Sequence, residues 1–379
     1  MNLHNSLSVI YETQILENGR VVERRQPKRN LILDSGLDRL ETVADNSFWE
    51  CFKRCVLGDG TKPTKRDSGA ITVTISSEIA TASAGYFEVA DVGRLLKLDS
   101  GQEAYIDGFT SSTEVTVTGA IDDTASEATV WYVNETGHEN ELSRTGNLSG
   151  DSGDVSSNFD GTTVEHKRTF IFPEETEART YREIGWSDSS SVENNLFGRD
   201  LIPGGGDSIS PGQQYKVIVR LQIALLPLTQ IPVDDVGSGG WDTSGDMILT
   251  FLGRSLDGAS NDGIFFGGEA TLEPHADLSV DKIGSDFTLP SSPSLSMGGS
   301  TSISAWDVEP YVSGSFEKVY KKEFGVNSGI NGDFFGITIH GGRWLREFAK
   351  IKFDSVQTKD SDHKLTVKIK KSWGRTLTN

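Results

Sequence analysis

The segment that most constrains the fold is an alternating run near the middle of the chain. From Tyr215 to Ile223 every second residue is apolar, and the residues between them are basic or polar except Ile218. Alternation over about eight residues predicts a β-strand with one buried face. The stretch from Thr180 to Leu225 around it has the order strand, turn, strand, loop, strand. This stretch contains no arrangement of acid, base and nucleophile typical of a catalytic site. Its residues are therefore expected to pair as strands and to pack in the core.

Alternating patterns elsewhere, with few long helical patterns, extend this interpretation to an all-β fold. Residues 6–25 predict a hairpin with Asn18-Gly19 at its tip, since both residues tolerate the positive φ angles of a type I′ turn. A strand over 163–172 is expected to place Phe170 and Phe172 in the core.

The spacing of these strands predicts a sandwich-like main domain with an inserted small β module and a loop-rich acidic excursion. Short strands at close intervals indicate the module, and exposed loop tips tolerate such insertions. The expected division is a first part of the main domain at 1–67, the inserted module at 68–138, a second part of the main domain at 139–232, the excursion at 233–315 and C-terminal strands closing the main domain at 316–379.

The charge of the chain is strongly acidic and uneven. The net charge of −19 argues against nucleic acid as a partner, because phosphate binding needs a basic footprint. Residues 226–315 carry thirteen acidic against two basic residues, whereas 316–379 carry thirteen basic against seven acidic. The candidate interface charges are Asp234, Asp235, Lys364, Lys368 and Lys370.

Two interpretations of these charges remain open. In the first, the acidic and the basic regions are complementary patches in a self-assembling ring or stack, since head-to-tail contacts need two different surfaces that fit each other. Alternatively, they are a solvated loop beside a lysine stripe that protects an edge strand from aggregation.

The two cysteines, Cys51 and Cys55, are too few for a secreted disulfide scaffold and indicate a reducing compartment. No Cys-His cluster surrounds them, so the sequence predicts no zinc site. The first residues lack the pattern of a signal peptide, and no apolar run approaches the ~18 residues that span a membrane. We therefore expect no membrane partner.

The sequence predicts no catalytic, cofactor or metal site. It carries no GxSxG, HExxH or GxGxxG motif in its proper context. Glu183 and Asp200 are the best-placed acids, and a structural role is favoured, with Glu183 bonded to the backbone or to an arginine. Asp257, Asn261 and Asp262 resemble a calcium loop but lack its glycine. His166 is expected to be solvated.

Several segments resemble known proteins in their order along the chain. They are NLILDSGLDRL from Asn30, VLGDGTKPT from Val56, TFIFPEETEARTYREIGWS from Thr169, NLFGRDLIP from Asn195 and ISPGQQYKVIVRLQI from Ile209. Together they are similar to a pattern common in tail, baseplate and fibre-associated structural proteins of tailed bacteriophages. The module segment from Phe87 to Phe109 also resembles a small β module that recurs in phage virion proteins.

The resemblance implies a virion structural subunit without catalysis, at the tail tip, baseplate or tail–fibre junction. Such a subunit is assembled in the host cytoplasm as a homo-oligomer and acts through interfaces with its own copies and other tail proteins.

Two other functions are compatible with the sequence. A receptor-binding fibre or spike would hold host surface glycan, with Trp241 in a Gly/Ser-rich loop as the candidate stacking residue. A polysaccharide-degrading enzyme is the other alternative. Tailspike enzymes usually contain long repetitive β-helix coils, and no such period is visible here.

Overall fold

The structure is a computed structural model, and it describes most of the chain outside the acidic excursion. The described ranges are 2–42, 52–119, 122–159, 163–189, 196–224, 230–233, 243–249, 279–286, 307–326, 331–341, 346–362 and 364–377.

The described residues are mostly in β-strands, and the all-β prediction is confirmed. The chain opens with β1 (Asn2–Glu17), β2 (Arg20–Arg24), β3 (Lys28–Ile32), helix α1 (Asp34–Thr42) and β4 (Arg54–Gly58). Next come β5 (Lys65–Ser76), β6 (Ile79–Ala82), β7 (Leu95–Leu98), β8 (Glu103–Ser111), β9 (Glu114–Thr118) and β10 (Asp123–Trp131). The third group is β11 (Glu141–Thr145), β12 (Val155–Phe159), β13 (Thr163–Glu174), β14 (Arg179–Tyr181), β15 (Glu183–Ser187), β16 (Gly198–Leu201), β17 (Asp207–Ile209) and β18 (Gln213–Ala224). The last group is β19 (Gln230–Val233), β20 (Thr243–Leu249), β21 (Ser279–Ile283), β22 (Asp307–Val308), β23 (Glu317–Phe324), β24 (Gly332–Gly341), β25 (Arg346–Lys359) and β26 (Leu365–Arg375).

A 13-stranded sheet forms the main domain. Its path is β11-β4-β15-β16-β3-β1-β18-β13-β12, and β2, β22, β23 and β26 attach to it off this path. The alternating segment is β18, which lies between β1 and β13 and pairs with both along most of its length. Its residues Tyr215, Val217, Val219 and Leu221 are buried, so the predicted central strand with one core face is confirmed.

The main sheet bends so that the segment after β11 reaches β13, the strand next to its other end. After β11, the backbone N–H of Ile171 in β13 donates to Asn147, and the N–H of Ser149 donates to Thr169. The rings of Trp186 in β15 and Phe170 in β13 stack across the core with centroids 6.3 Å apart. The chain thus passes from one layer to the other at this corner, as strands of packed sheets do.

The predicted N-terminal hairpin is also confirmed. β1 and β2 pair antiparallel, and Asn18 and Gly19 between them have φ angles of 50° and 74°. Both values are positive, as the type I′ turn requires. Phe170 and Phe172 are buried in the main core, as expected.

The strands β10-β5-β6-β9-β8-β7 form a closed barrel over residues 65–131. The sequence places the inserted module over 68–138. The barrel has its own core, which includes Val73, Leu96, Ile106, Val115 and Val130. Closure of the barrel leaves its six strands without a free sheet edge.

The C-terminal strands do not all join the main sheet, which differs from the expected division. β23 and β26 belong to it, and β26 also pairs in parallel with β1. β24 and β25 instead form a separate five-stranded sheet, β19-β20-β25-β24-β21, with strands from the preceding region.

The position of β18 predicts the effect of shortening its core side chains. Val219 is 2% exposed, whereas Val22 in β2 is 54% exposed. We expect Val219→Ala to lower the free energy of unfolding by about 2 kcal/mol, from lost burial plus a cavity. Val22→Ala, the same change on the surface, should leave the urea midpoint almost unchanged. Equal midpoints for the two variants would contradict the placement of β18.

Candidate functional site

The barrel and the main domain meet at an apolar cluster that draws residues from both. Leu95 and Trp131 come from the barrel strands, and Leu31, Val56 and Leu196 come from the main domain. Because the cluster is buried on both sides, separating the two bodies would expose apolar surface to water. The barrel is therefore held against the main domain by hydrophobic packing as well as by its two connecting segments.

A buried arginine fixes the polar side of this junction. The guanidinium of Arg199 in β16 donates to the Glu183 carboxylate in β15, to Glu135 at 2.7 Å and to the Lys62 carbonyl at 2.6 Å. Lys62 lies in the segment that enters the barrel, and Glu135 lies in the segment that leaves it. One side chain of the main domain thus holds both connections to the barrel.

Glu183 is fully buried and has several hydrogen-bond donors besides Arg199. The backbone N–H groups of Glu139 and Asn140 donate to its carboxylate at 3.1 Å and 3.4 Å. The structural interpretation of Glu183, with bonds to the backbone or an arginine, is therefore confirmed on both counts. A carboxylate held by a cation and by backbone donors is a strong structural acceptor.

His138 lies beside this pair and contacts two glycines of the main sheet. A Cβ at Gly58 would lie 2.8 Å from Nδ1 of His138, and a Cβ at Gly185 would lie 2.6 Å from Nε2. Neither ring nitrogen has a hydrogen-bond partner within the described ranges. Burial, followed by the Arg199 and Arg144 cations, lowers the pKa of His138 from its usual 6.5 to about 3. The ring is therefore neutral near pH 7.

A polar cleft of about 460 Å³ opens over this network. Lys62, Arg94, Glu135, His138 and Arg199 are among the residues that line it. Glu135 bonds both Lys62, at 2.6 Å, and Arg199. Arg94 on the barrel side bonds Asp91 at 2.9 Å and lies 3.6 Å from the Tyr132 ring centroid. Lys62 and Arg199 share Glu135, and Arg94 pairs with Asp91, so these three cations each have a partner of opposite charge at the junction.

A second polar network lies inside the main domain. Asp207 accepts hydrogen bonds from Thr13 and Tyr215 and pairs with Arg25. Asp200, the other acid considered from the sequence, pairs with Lys28 at 2.7 Å and accepts a bond from Tyr11. Burial raises the pKa of Asp200, and the Lys28 cation opposes this shift.

The structure shows internal partners for the three candidate interface lysines. Lys364 pairs with Glu323 at 2.8 Å, Lys368 with Glu309 at 3.7 Å and Lys370 with Glu317 at 2.6 Å. The lysine stripe thus lies opposite glutamates of its own chain. The expected edge position is wrong only for residues 370–372 of β26, which pair with both β23 and β1.

The remaining sequence predictions have different outcomes. His166 was expected to be solvated, and this is wrong, because its side chain is buried. It shares the inner face of β13 with Phe170, and the period of two placed it there. Cys55 is a buried free thiol. Outside the described residues lie Trp241, Asp234, Asp235, Asp257, Asn261, Asp262 and Cys51.

The sequence predicted Glu183 but missed Arg199, Glu135 and His138. The available signal was Arg199-Asp200, two charged residues between the apolar steps Leu196-Phe197 and Leu201-Ile202. Charged residues enclosed by core positions are buried with partners. The partners Glu183, Glu135 and Lys62 lie 16, 64 and 137 residues from Arg199 along the chain, and no local pattern connects them.

No known protein family matches the chain, and no match is found among curated proteins or solved structures. In the described part of the chain, no group of three or more His, Cys, Asp or Glu side chains could hold a metal ion. No helix there has the length and apolar character to cross a lipid bilayer.

The buried arginine predicts a large loss of stability when its charge is removed. Arg199→Met leaves the Glu183 carboxylate buried without its cation, and we expect a loss of about 3–5 kcal/mol in the free energy of unfolding. Lys364→Met removes the cation of an exposed pair, in which Lys364 is 62% exposed, and should shift the urea midpoint little. Similar shifts of the urea midpoint in the two variants would contradict the stabilising role of the buried Arg199–Glu183 pair.

The low pKa of His138 predicts a pH dependence. In the unfolded chain the ring takes up a proton below about pH 6.5, whereas the folded protein resists protonation down to about pH 3. Stability is therefore lost as the pH falls through this window, by about 2 kcal/mol between pH 7 and pH 5. Glu183, Arg199 and Arg144 are the charged groups around the ring.

His138→Gln removes this titration, so urea unfolding of that variant should show a smaller loss of stability from pH 7 to pH 5 than the wild type. Val22→Ala, which removes no titratable group, is the control. An unchanged pH dependence in His138→Gln would contradict the assignment.

Proposed function

We propose that the chain is a structural subunit of a bacteriophage tail assembly, at the tail tip, baseplate or tail–fibre junction. The observation that carries the proposal is the fixed attachment of the barrel to the main domain. The apolar cluster and the three acceptors of Arg199 hold the barrel in one orientation. A fixed orientation of two β bodies suits a building block, because neighbouring copies then meet surfaces of constant shape.

The use of charge inside the chain also supports this proposal. The acids Glu183, Asp200 and Asp207 each bond a cation of the same chain. The Glu183 pair positions the two bodies, and the Asp200 and Asp207 pairs stabilise the main domain, as a structural subunit needs. The order of the segments that resemble phage tail proteins directs the proposal to this class of assembly. Its partners would be copies of itself and other tail proteins, and its location would be the virion.

The test is to locate the chain in phage particles. Particles from a lysate of the phage or prophage strain that encodes the chain are purified on a density gradient and probed with gold-labelled antibody against the barrel. We expect several copies per particle, with label confined to the tail. Antibody absorbed with purified protein is the control. Particles that lack the chain while the free lysate contains it would overturn the proposal.

A further inference from the structure

The chain contains two asparagines that are followed directly by glycine, Asn18 and Asn331. An asparagine in this setting can lose its side-chain amide without an enzyme, because the backbone nitrogen of the next residue attacks the side-chain carbonyl carbon. Glycine obstructs this attack least, since it has no side chain. The local sequence therefore makes both asparagines reactive, and the folded structure decides which of them can react.

Asn18 lies at the exposed tip of the β1–β2 hairpin. Gly19 and all five residues of β2 are exposed as well. Within the described ranges, no atom outside the turn lies within 4 Å of the space that a Cβ on Gly19 would occupy. β2 pairs with β1 alone among the strands that the structure describes. A surface strand held along one edge opens locally at low cost, so the Asn18 side chain can reach the Gly19 nitrogen.

Asn331, in contrast, is held at both ends of its side-chain amide. Its oxygen accepts a hydrogen bond from Nζ of Lys359 at 2.7 Å, and its nitrogen donates to the Val326 carbonyl at 3.3 Å. Lys359 is itself buried, and its Nζ also donates to the Asp360 carbonyl at 3.1 Å. Gly332 pairs with Lys359 in the β24–β25 ladder. Attack on the Asn331 side chain therefore requires these hydrogen bonds to open first.

We propose that Asn18 is a site of spontaneous deamidation and that Lys359 protects Asn331 from the same reaction. In the first step the Gly19 nitrogen forms a bond to Cγ of Asn18 and gives up its proton, and the side-chain nitrogen leaves as ammonia. The product is a succinimide ring. Water then adds to one of the two ring carbonyls and opens the ring, which gives aspartate or isoaspartate. Water is the only co-reactant, and no atom is oxidised or reduced.

The isoaspartate product changes the hairpin more than the aspartate product does. Isoaspartate places the side-chain methylene in the backbone, so the loop between β1 and β2 becomes longer by a carbon atom. The type I′ turn fits two residues of normal length with positive φ angles, which are 50° and 74° at Asn18 and Gly19. The modified loop loses this geometry, and the pairing of Arg20–Arg24 with β1 weakens. Either product also adds a negative charge next to Glu17.

Peptide mapping of the purified full-length protein tests the proposal and does not depend on the virion role. The protein is incubated under mildly alkaline conditions, and mass spectrometry follows the replacement of the side-chain NH2 by OH at each site. We expect deamidation at Asn18 to be at least about tenfold faster than at Asn331, whose two hydrogen bonds must open. The urea-unfolded chain is the control, in which both sites should react at similar rates.

A substitution tests the protection of Asn331 separately. Lys359→Met removes the donor to the Asn331 oxygen and keeps a side chain of similar length. Deamidation at Asn331 should then become faster, while the rate at Asn18 stays the same. Lys364→Met, at an exposed lysine that pairs with Glu323, is the matched control and should change neither rate.

Amide hydrogen exchange tests the effect on the hairpin. Asn18→Asp carries the added charge without the longer backbone and should keep the wild-type exchange rates in Arg20–Arg24. Wild-type protein that has deamidated, isolated by ion exchange, should exchange faster there. Equal exchange in these two samples would overturn the loss of the turn. Equal deamidation at Asn18 and Asn331 in the folded protein would overturn the proposal, as would an Asn331 that Lys359→Met leaves protected.

Discussion

The attachment of the barrel to the main domain depends on one buried cation. A guanidinium taken out of water is unfavourable unless several acceptors surround it. Arg199 has acceptors from β15 and from both segments that connect the barrel. If either segment moved away, a charged group would remain buried and only partly bonded. The orientation of the barrel is therefore coupled to the stability of the main domain.

The glycines around this cation make the close approach possible. The His138 ring lies directly on the backbone at Gly58 and Gly185, and the Glu183 carboxylate lies on the backbone at Gly58. Neither glycine has a side chain that would block this approach. Nδ1 of His138 and the carboxylate of Glu183 therefore come within 3.9 Å of each other. The barrel insertion, the main sheet and the cleft between them are parts of one packed structure.

Much of the fold could be predicted from local patterns, because strand alternation and turn residues act over short distances. β18, the β1–β2 hairpin and the all-β class followed from such patterns. His166 was assigned by residue type against the alternation of its own strand, and the alternation was the better guide. Pairing of β24 and β25 with strands from 230–283 depends on contacts between distant segments, as do the three acceptors of Arg199, and neither has a local signal.

The parallel pairing of β1 with β26 brings the first strand of the chain beside the last. Asn2–Leu7 lie against Lys370–Arg375, so that side of β1 lacks this neighbour until Lys370–Arg375 have left the ribosome. The barrel, in contrast, is a contiguous stretch that can close while synthesis continues. The pairing of β1 with β26 therefore joins segments that are synthesised far apart in time, and a nascent chain truncated before Leu365 would leave Asn2–Leu7 available to the wrong neighbour.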